Sequence, residues 1–111
     1  MSRIKRLLVH RSRRAPVAAY IVATVRITDP ERFAEYGKGI AGLSEAFGGV
    51  AVVKGPVAEV LEGNSPVGER VVVTRFENAD AARAYLASHQ YRTAAAAREG
   101  AAEVETRLLV D

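Results

Sequence analysis

Two stretches of this chain are apolar on both faces of an extended backbone. Arg70 to Phe76 reads as a strand, with β-branched residues, one aromatic and no breaker. Its faces are Val71, Val73 and Arg75 on one side, Val72, Thr74 and Phe76 on the other. Val17 to Ile27 behaves alike: Ala19, Ile21, Ala23, Val25 and Ile27 form a wholly apolar face, and Ala18, Tyr20, Val22, Thr24 and Arg26 a mixed one. A strand that is apolar on both sides needs cover twice. The helices of so short a chain supply one cover, so the second is expected from another copy.

The remaining pattern fills in the order. Asp29-Pro30-Glu31 announces a helix, with Asp29 as N-cap and Pro30 at the first helical position. Its stripe is Phe33, Tyr36, Gly37, Ile40, Leu43 and Phe47, and Gly48-Gly49 ends it. Gly37, Gly39 and Gly42 are poor helix formers, expected to let this helix approach the sheet closely. Val50 to Leu61 reads as one long strand, bent at Gly55-Pro56 and lying at an edge. After Arg70–Phe76, Asn78 caps a helix from Ala79 to about Ala87, with Ala82, Tyr85 and Leu86 inward. Ser88 ends that helix and caps the next, His89 to Glu99, which Gly100 closes. Val104 to Val110 is the last strand.

The order strand–helix–strand–strand–helix–strand predicts an α+β fold of the ferredoxin-like βαββαβ kind, an antiparallel sheet with helices on one face. That topology puts the first and third strands at the centre, and those are the two with apolar residues on both faces. A two-fold homodimer with the sheets facing each other closes the arrangement.

Charge divides the chain in two. Residues 1–16 hold six of the sixteen basic residues and no acid; the rest carry ten basic and thirteen acidic groups, a net of −3. The high isoelectric point thus belongs to a terminal arm, with residues 17–111 as the domain proper. The arm reads first as a disordered extension, which a start at Val17 would remove from the product. Its charge also suits phosphates or an anionic membrane surface. It loosely resembles a transit peptide, and it lacks the apolar core of a secretory signal. Nucleic-acid binding is not expected, because that footprint needs basic residues on a folded face. No apolar run approaches the ~20 residues of a membrane span. Cysteine is absent, which excludes disulfides and thiol chemistry and fits a cytoplasmic location.

Several stretches together resemble the DUF1330 family of domains of unknown function, a branch of the dimeric α+β barrel superfamily. They are Ala19-Tyr20-Ile21-Val22, the Asp29-Pro30-Glu31 helix start with Tyr36, Gly48-Gly49, Val60-Leu61-Glu62-Gly63, Arg70 to Phe76, and Ser88-x-x-Tyr91 followed by Arg98. The resemblance covers Val17 to Val110. It implies a ferredoxin-like protomer, a homodimer and a cleft between sheet and helices, and it implies no activity. Relatives in the superfamily include cofactor-independent monooxygenases, small isomerases and haem proteins. The chain departs from the pattern at Ser65 and Tyr85, where tryptophan is expected, and at His89-Gln90, which replaces Pro-Glu. Any chemistry done by that acidic position in relatives is missing here.

The candidate chemistry is sparse. His89, the one histidine outside the arm, is the candidate general acid or base, against the plain reading of a solvated residue at a helix start. Tyr20, Tyr36, Tyr85 and Tyr91 are amphipathic packing residues that can also line a pocket for an aromatic or carbonyl compound. Arg75, a charge in a central strand, needs a partner: Glu105, a glutamate of a second subunit, or a ligand. Arg98 lies seven residues from Tyr91 and can clamp a carboxylate or bridge subunits. One histidine without partners is no metal or haem constellation, and neither metal nor cofactor is expected. No Ser–His–Asp pattern, phosphate loop or paired carboxylates stand out. Two readings follow: a cofactor-independent dimeric barrel whose cleft gathers Tyr20, Tyr36, Arg75, His89, Tyr91 and Arg98 around a small organic molecule, or a non-catalytic dimeric module with no ligand.

Overall fold

A computed structural model describes residues 17–111. The basic arm of residues 1–16, with everything expected of it, lies outside the described residues. Four strands form one antiparallel sheet: β1 (Ala19–Ile27), β2 (Val50–Pro56), β3 (Arg70–Phe76) and β4 (Ala102–Val110). Their order is β2-β3-β1-β4, so the two strands apolar on both faces are indeed central. In the register, Ala19 faces Phe76 and Val110, and Ile21 faces Thr74 and Leu108. The ferredoxin-like α+β fold expected from the order of elements is the one the chain adopts.

Helices α1 (Pro30–Ile40), α2 (Leu43–Ala46), α3 (Ala79–Ala87) and α4 (His89–Ala97) account for the rest. The caps are those the sequence offers: Asp29 accepts from the Arg32 amide and Asn78 from the Ala81 amide. Ser88 serves twice. Its hydroxyl donates to the Tyr85 carbonyl at 2.8 Å, closing α3, and accepts from the Tyr91 amide at 3.1 Å, opening α4. The core lies between the helices and one sheet face, built on Ile21, Phe76, Ala82, Tyr85 and Tyr91.

Three expectations need correction. The first helix stops at Ile40 instead of running to Phe47, because Gly42 turns left-handed at φ 74° and starts the separate turn α2. The second strand ends at Pro56 instead of Leu61. The Val57 amide still reaches the Glu69 carbonyl at 2.7 Å, the Val57 carbonyl accepts from the Gly68 amide at 3.1 Å, and pairing stops there. The strand also carries a bulge between Ala51 and Val53. The glycines of α1 do not bring it to the sheet. A Cβ at Gly39 would sit 2.8 Å from the Ala94 Cβ, so the close approach is to α4. Gly39→Ala therefore sets ~1 kcal/mol of helix propensity against overpacking of ~1–3 kcal/mol. A net loss of about 1 kcal/mol in urea unfolding is expected, relieved when Ala94→Gly is added. A stabilised Gly39→Ala protein would show that the two helices are not in contact there.

The opposite face of the sheet is open. Val50, Val53 and Leu109 on it are each half or more exposed, while Val22, Val71 and Val73 are half-buried.

Candidate functional site

The helical layer gathers an aromatic row. Because Ser88 joins α3 to α4 so tightly, the Tyr85 and Tyr91 rings meet at 5.0 Å, edge to face. Tyr36, from α1, stands 6.3 Å from Tyr91 at 84°, with Phe33 5.2 Å beyond it. At the other end Tyr85 stacks on Phe76 at 5.7 Å and approaches Phe47 at 5.9 Å. The row thus runs from the outer helix down to the sheet.

Arg98, just past α4, lies against this row. Its Nη1 donates to the Tyr91 hydroxyl at 3.0 Å, and its guanidinium carbon is 4.7 Å from the Tyr36 ring centroid and 5.7 Å from that of Tyr91. Such a stack is worth ~0.5–2 kcal/mol, more as water is excluded. Burial disfavours the charge on Arg98, but the hydrogen bond to Tyr91 and the neighbouring phenols outweigh it, so the guanidinium is held more firmly protonated than usual. The phenols move the same way. Burial, with Tyr91 alongside, pushes the Tyr36 hydroxyl far above the ordinary phenol range. Burial first, then Tyr91, pushes Tyr85 up to about 12. At neutral pH both keep their protons and can donate hydrogen bonds. Among the described residues no carboxylate pairs with Arg98.

The six residues singled out by the sequence do not share one cleft. Tyr36, Tyr91 and Arg98 come together as above. Tyr20 and Arg75 face each other across β1 and β3, but on the open side of the sheet. Arg75 is exposed there, and Glu105 is not its partner within the chain. The register sets Glu105 opposite Thr24, four positions along β1 from Tyr20, about 13 Å by strand rise. His89 is exposed at the start of α4, its Nε2 3.4 Å from the Thr93 hydroxyl. It lines a groove of about 430 Å³ between α1 and α4 with Glu35, Gly39, Gln90, Thr93 and Ala94, and none of the clustered residues. Tyr85, read in the sequence as an inward packing residue and left out of the six, proves to be the centre of the aromatic row. Its signal was the Tyr85–Ser88–Tyr91 spacing around a doubly capping serine.

A further hollow of about 400 Å³ lies under the loop after β2, between Val57, Val60, Leu61, Ser65 and Val71. Among the described residues no three His, Cys, Asp or Glu side chains group so as to hold a metal ion. No helix among them is long and apolar enough to cross a membrane.

With a four-stranded sheet, helices on one face and this row between them in view, the comparison with known proteins is direct. The family model for a domain of unknown function, DUF1330, matches residues 18–111. The chain belongs to the DUF1330 family. No curated protein matches it significantly. Among solved structures, this DUF1330 chain is similar to a protein of unknown function from Rhodopseudomonas palustris, at 20% identity and a TM-score of 0.71, covering 94% of this chain and 91% of that one. It is also similar to SnoaB, a cofactor-independent oxygenase from Streptomyces nogalater, at 18% identity and a TM-score of 0.59, covering 84% and 91%. A third is a dimeric ferredoxin-like protein of unknown function from Thermobifida fusca, at 16% identity, a TM-score of 0.56 and coverage of 86% and 92%. At such identities the likeness is one of fold.

Proposed function

We propose that this DUF1330 protein is a cytoplasmic homodimer, joined through the open sheet faces, that binds a small organic carboxylate or carbonyl compound, aromatic in part, beside Tyr36, Tyr91 and Arg98 without a cofactor. One observation carries the reading. A half-buried guanidinium is held by a phenol and two rings, with no carboxylate paired to it among the described residues. A guanidinium has five donors in a planar fork, and only one is spent on Tyr91 here. A carboxylate would take two of the others bidentately, and an attached ring would extend the aromatic row. The raised phenol protons make the tyrosines hydrogen-bond donors to such a ligand, not bases toward it. Binding and orientation are what this cluster offers. Its fold is compatible with more, since the cofactor-independent oxygenase SnoaB is built on a similar one.

Titration of the full-length chain with benzoate, followed by tyrosine fluorescence and by NMR, tests the reading. Saturable binding is expected. Arg98→Lys keeps the charge but loses the fork, and should raise Kd about tenfold or more, as for a charge-assisted hydrogen bond. Benzoate binding that survives Arg98→Lys unchanged would remove Arg98 from the site.

A further inference from the structure

Arg98 leaves α4 in a turn that the start of α1 holds along its length. Within the turn the Ala101 amide donates to the Arg98 carbonyl at 2.8 Å, and Gly100 is left-handed at φ 77°. The next three carbonyls are taken from the opposite side. Arg32 Nη2 donates to the Glu99 carbonyl at 2.7 Å, and the Thr28 hydroxyl reaches that of Gly100 at 3.5 Å. The Thr28 and Asp29 amides both donate to the Ala101 carbonyl, at 2.8 and 2.9 Å, and Ala101 is fully excluded from solvent. Every carbonyl from Arg98 to Ala101 thus faces a donor. The approach is close: a Cβ on Gly100 would sit 3.3 Å from Arg32 Nη1.

Arg32 is fixed at its root, because the Asp29 carboxylate accepts from its amide at 3.2 Å. At its tip it is a cation at the carbonyl end of α4, where the helix dipole favours one. Tyr36 stands four residues on in α1, on the same side of the helix as Arg32. Its ring is the one that lies 4.7 Å from the guanidinium carbon of Arg98. One face of α1 therefore grips Arg98 at two points, Arg32 holding the main chain of its turn and Tyr36 its guanidinium. We propose that Arg32 is a positioning residue of the Arg98 site, setting where the free donors of Arg98 stand by fixing the turn that carries it. This deepens the ligand reading given above and rests on it for the ligand, though not for the grip on Arg98. Arg32 acts through Arg98, since its own guanidinium is turned to the Glu99 carbonyl. A bidentate carboxylate needs two N–H groups in line at once, and a shift on the order of 1 Å breaks one of the two bonds.

The test is NMR of the full-length chain, with benzoate titration alongside and circular dichroism melts as a folding control. The Arg98 Nε–Hε resonance, assigned by its loss in Arg98→Lys, should stand upfield in wild type, because the guanidinium lies against two rings. In Arg32→Ala it should move at least half-way to the position of a free arginine. The benzoate Kd should rise about fivefold or more, as for one lost hydrogen bond. Arg32→Lys keeps the charge and a donor, and should hold both readouts near wild type. Arg32 is exposed, so trimming it empties no core. Should Arg32→Ala nevertheless fail to fold, Arg32→Gln, whose shorter amide does not reach the Glu99 carbonyl, is measured in its place. A resonance that stays put in the folded variant would overturn the positioning role, whatever benzoate does. An unchanged benzoate Kd despite a moved resonance would overturn it as well. A wild type that binds no benzoate would remove the ligand reading alone, and the resonance then decides whether Arg32 holds Arg98.

Discussion

Phe76→Ala should bring the protein close to its unfolding threshold. Phe76 is fully excluded from solvent at the end of β3, stacked on Tyr85 and set opposite Ala19 in the register. Gly49 approaches it so closely that a Cβ there would lie 3.0 Å from the ring. Nothing around it can collapse to fill the gap, since the sheet backbone bounds one side and the aromatic row the other. Emptying such a site costs about 3–5 kcal/mol, out of a total of ~5–15 for a domain. A fall in Tm of at least about 12 °C is expected, read by circular dichroism, with Phe76→Leu losing clearly less. A Phe76→Ala protein melting within a few degrees of wild type would mean that the core is not centred there.

Alkali should unfold the protein through its tyrosines. An unfolded tyrosine loses its proton near pH 10, whereas native Tyr85 is held up to about 12, chiefly by burial, and Tyr36 higher still. Below pH 10 both states keep these protons and the contribution to stability is complete. Above it the unfolded chain releases protons that the native state retains, so stability drains away as pH rises through the native values. The slope is roughly 1.4 kcal/mol per pH unit for each phenol, a few kcal/mol in all by pH 12. Urea unfolding at pH 8 and pH 11 should show the loss in wild type and much less of it in Tyr36→Phe/Tyr85→Phe. Equal losses in the two proteins would refute this account.

Much of the fold could be read from local pattern. Apolar residues on both faces of Ala19–Ile27 and Arg70–Phe76 marked the central strands, and Asp29, Asn78 and Ser88 cap the helices that their side-chain oxygens suit. The breaks were harder. Gly42 stops α1 only because its backbone turns left-handed, and a glycine in a helical pattern looks the same whether it turns or continues. Gly39 is small because Ala94 lies over it, a contact fifty-five residues away that no local pattern encodes. The site divides along similar lines. Tyr91 and Arg98 sit seven residues apart, two turns of helix, and do meet. His89 and Tyr91 differ by two, which turns them to different sides of α4. Tyr20 alternates with Ala19 and Ile21, so it had to face away from whatever covered those two. Which face the helices would choose was the missing fact, and only the assembled core decides it.

The bulge and the proline of β2 have a bearing on how copies of this chain can meet. An edge strand invites the edge of another sheet, and repeated edge pairing has no natural end. Here the ladder is thrown out of step between Ala51 and Val53 and loses a donor at Pro56, while the opposite edge, β4, carries Glu103, Glu105 and Arg107 in alternation. Neither margin is a good template for a further strand. Contact through a face uses up the face, so association that avoids the margins closes on itself instead of growing into a fibre.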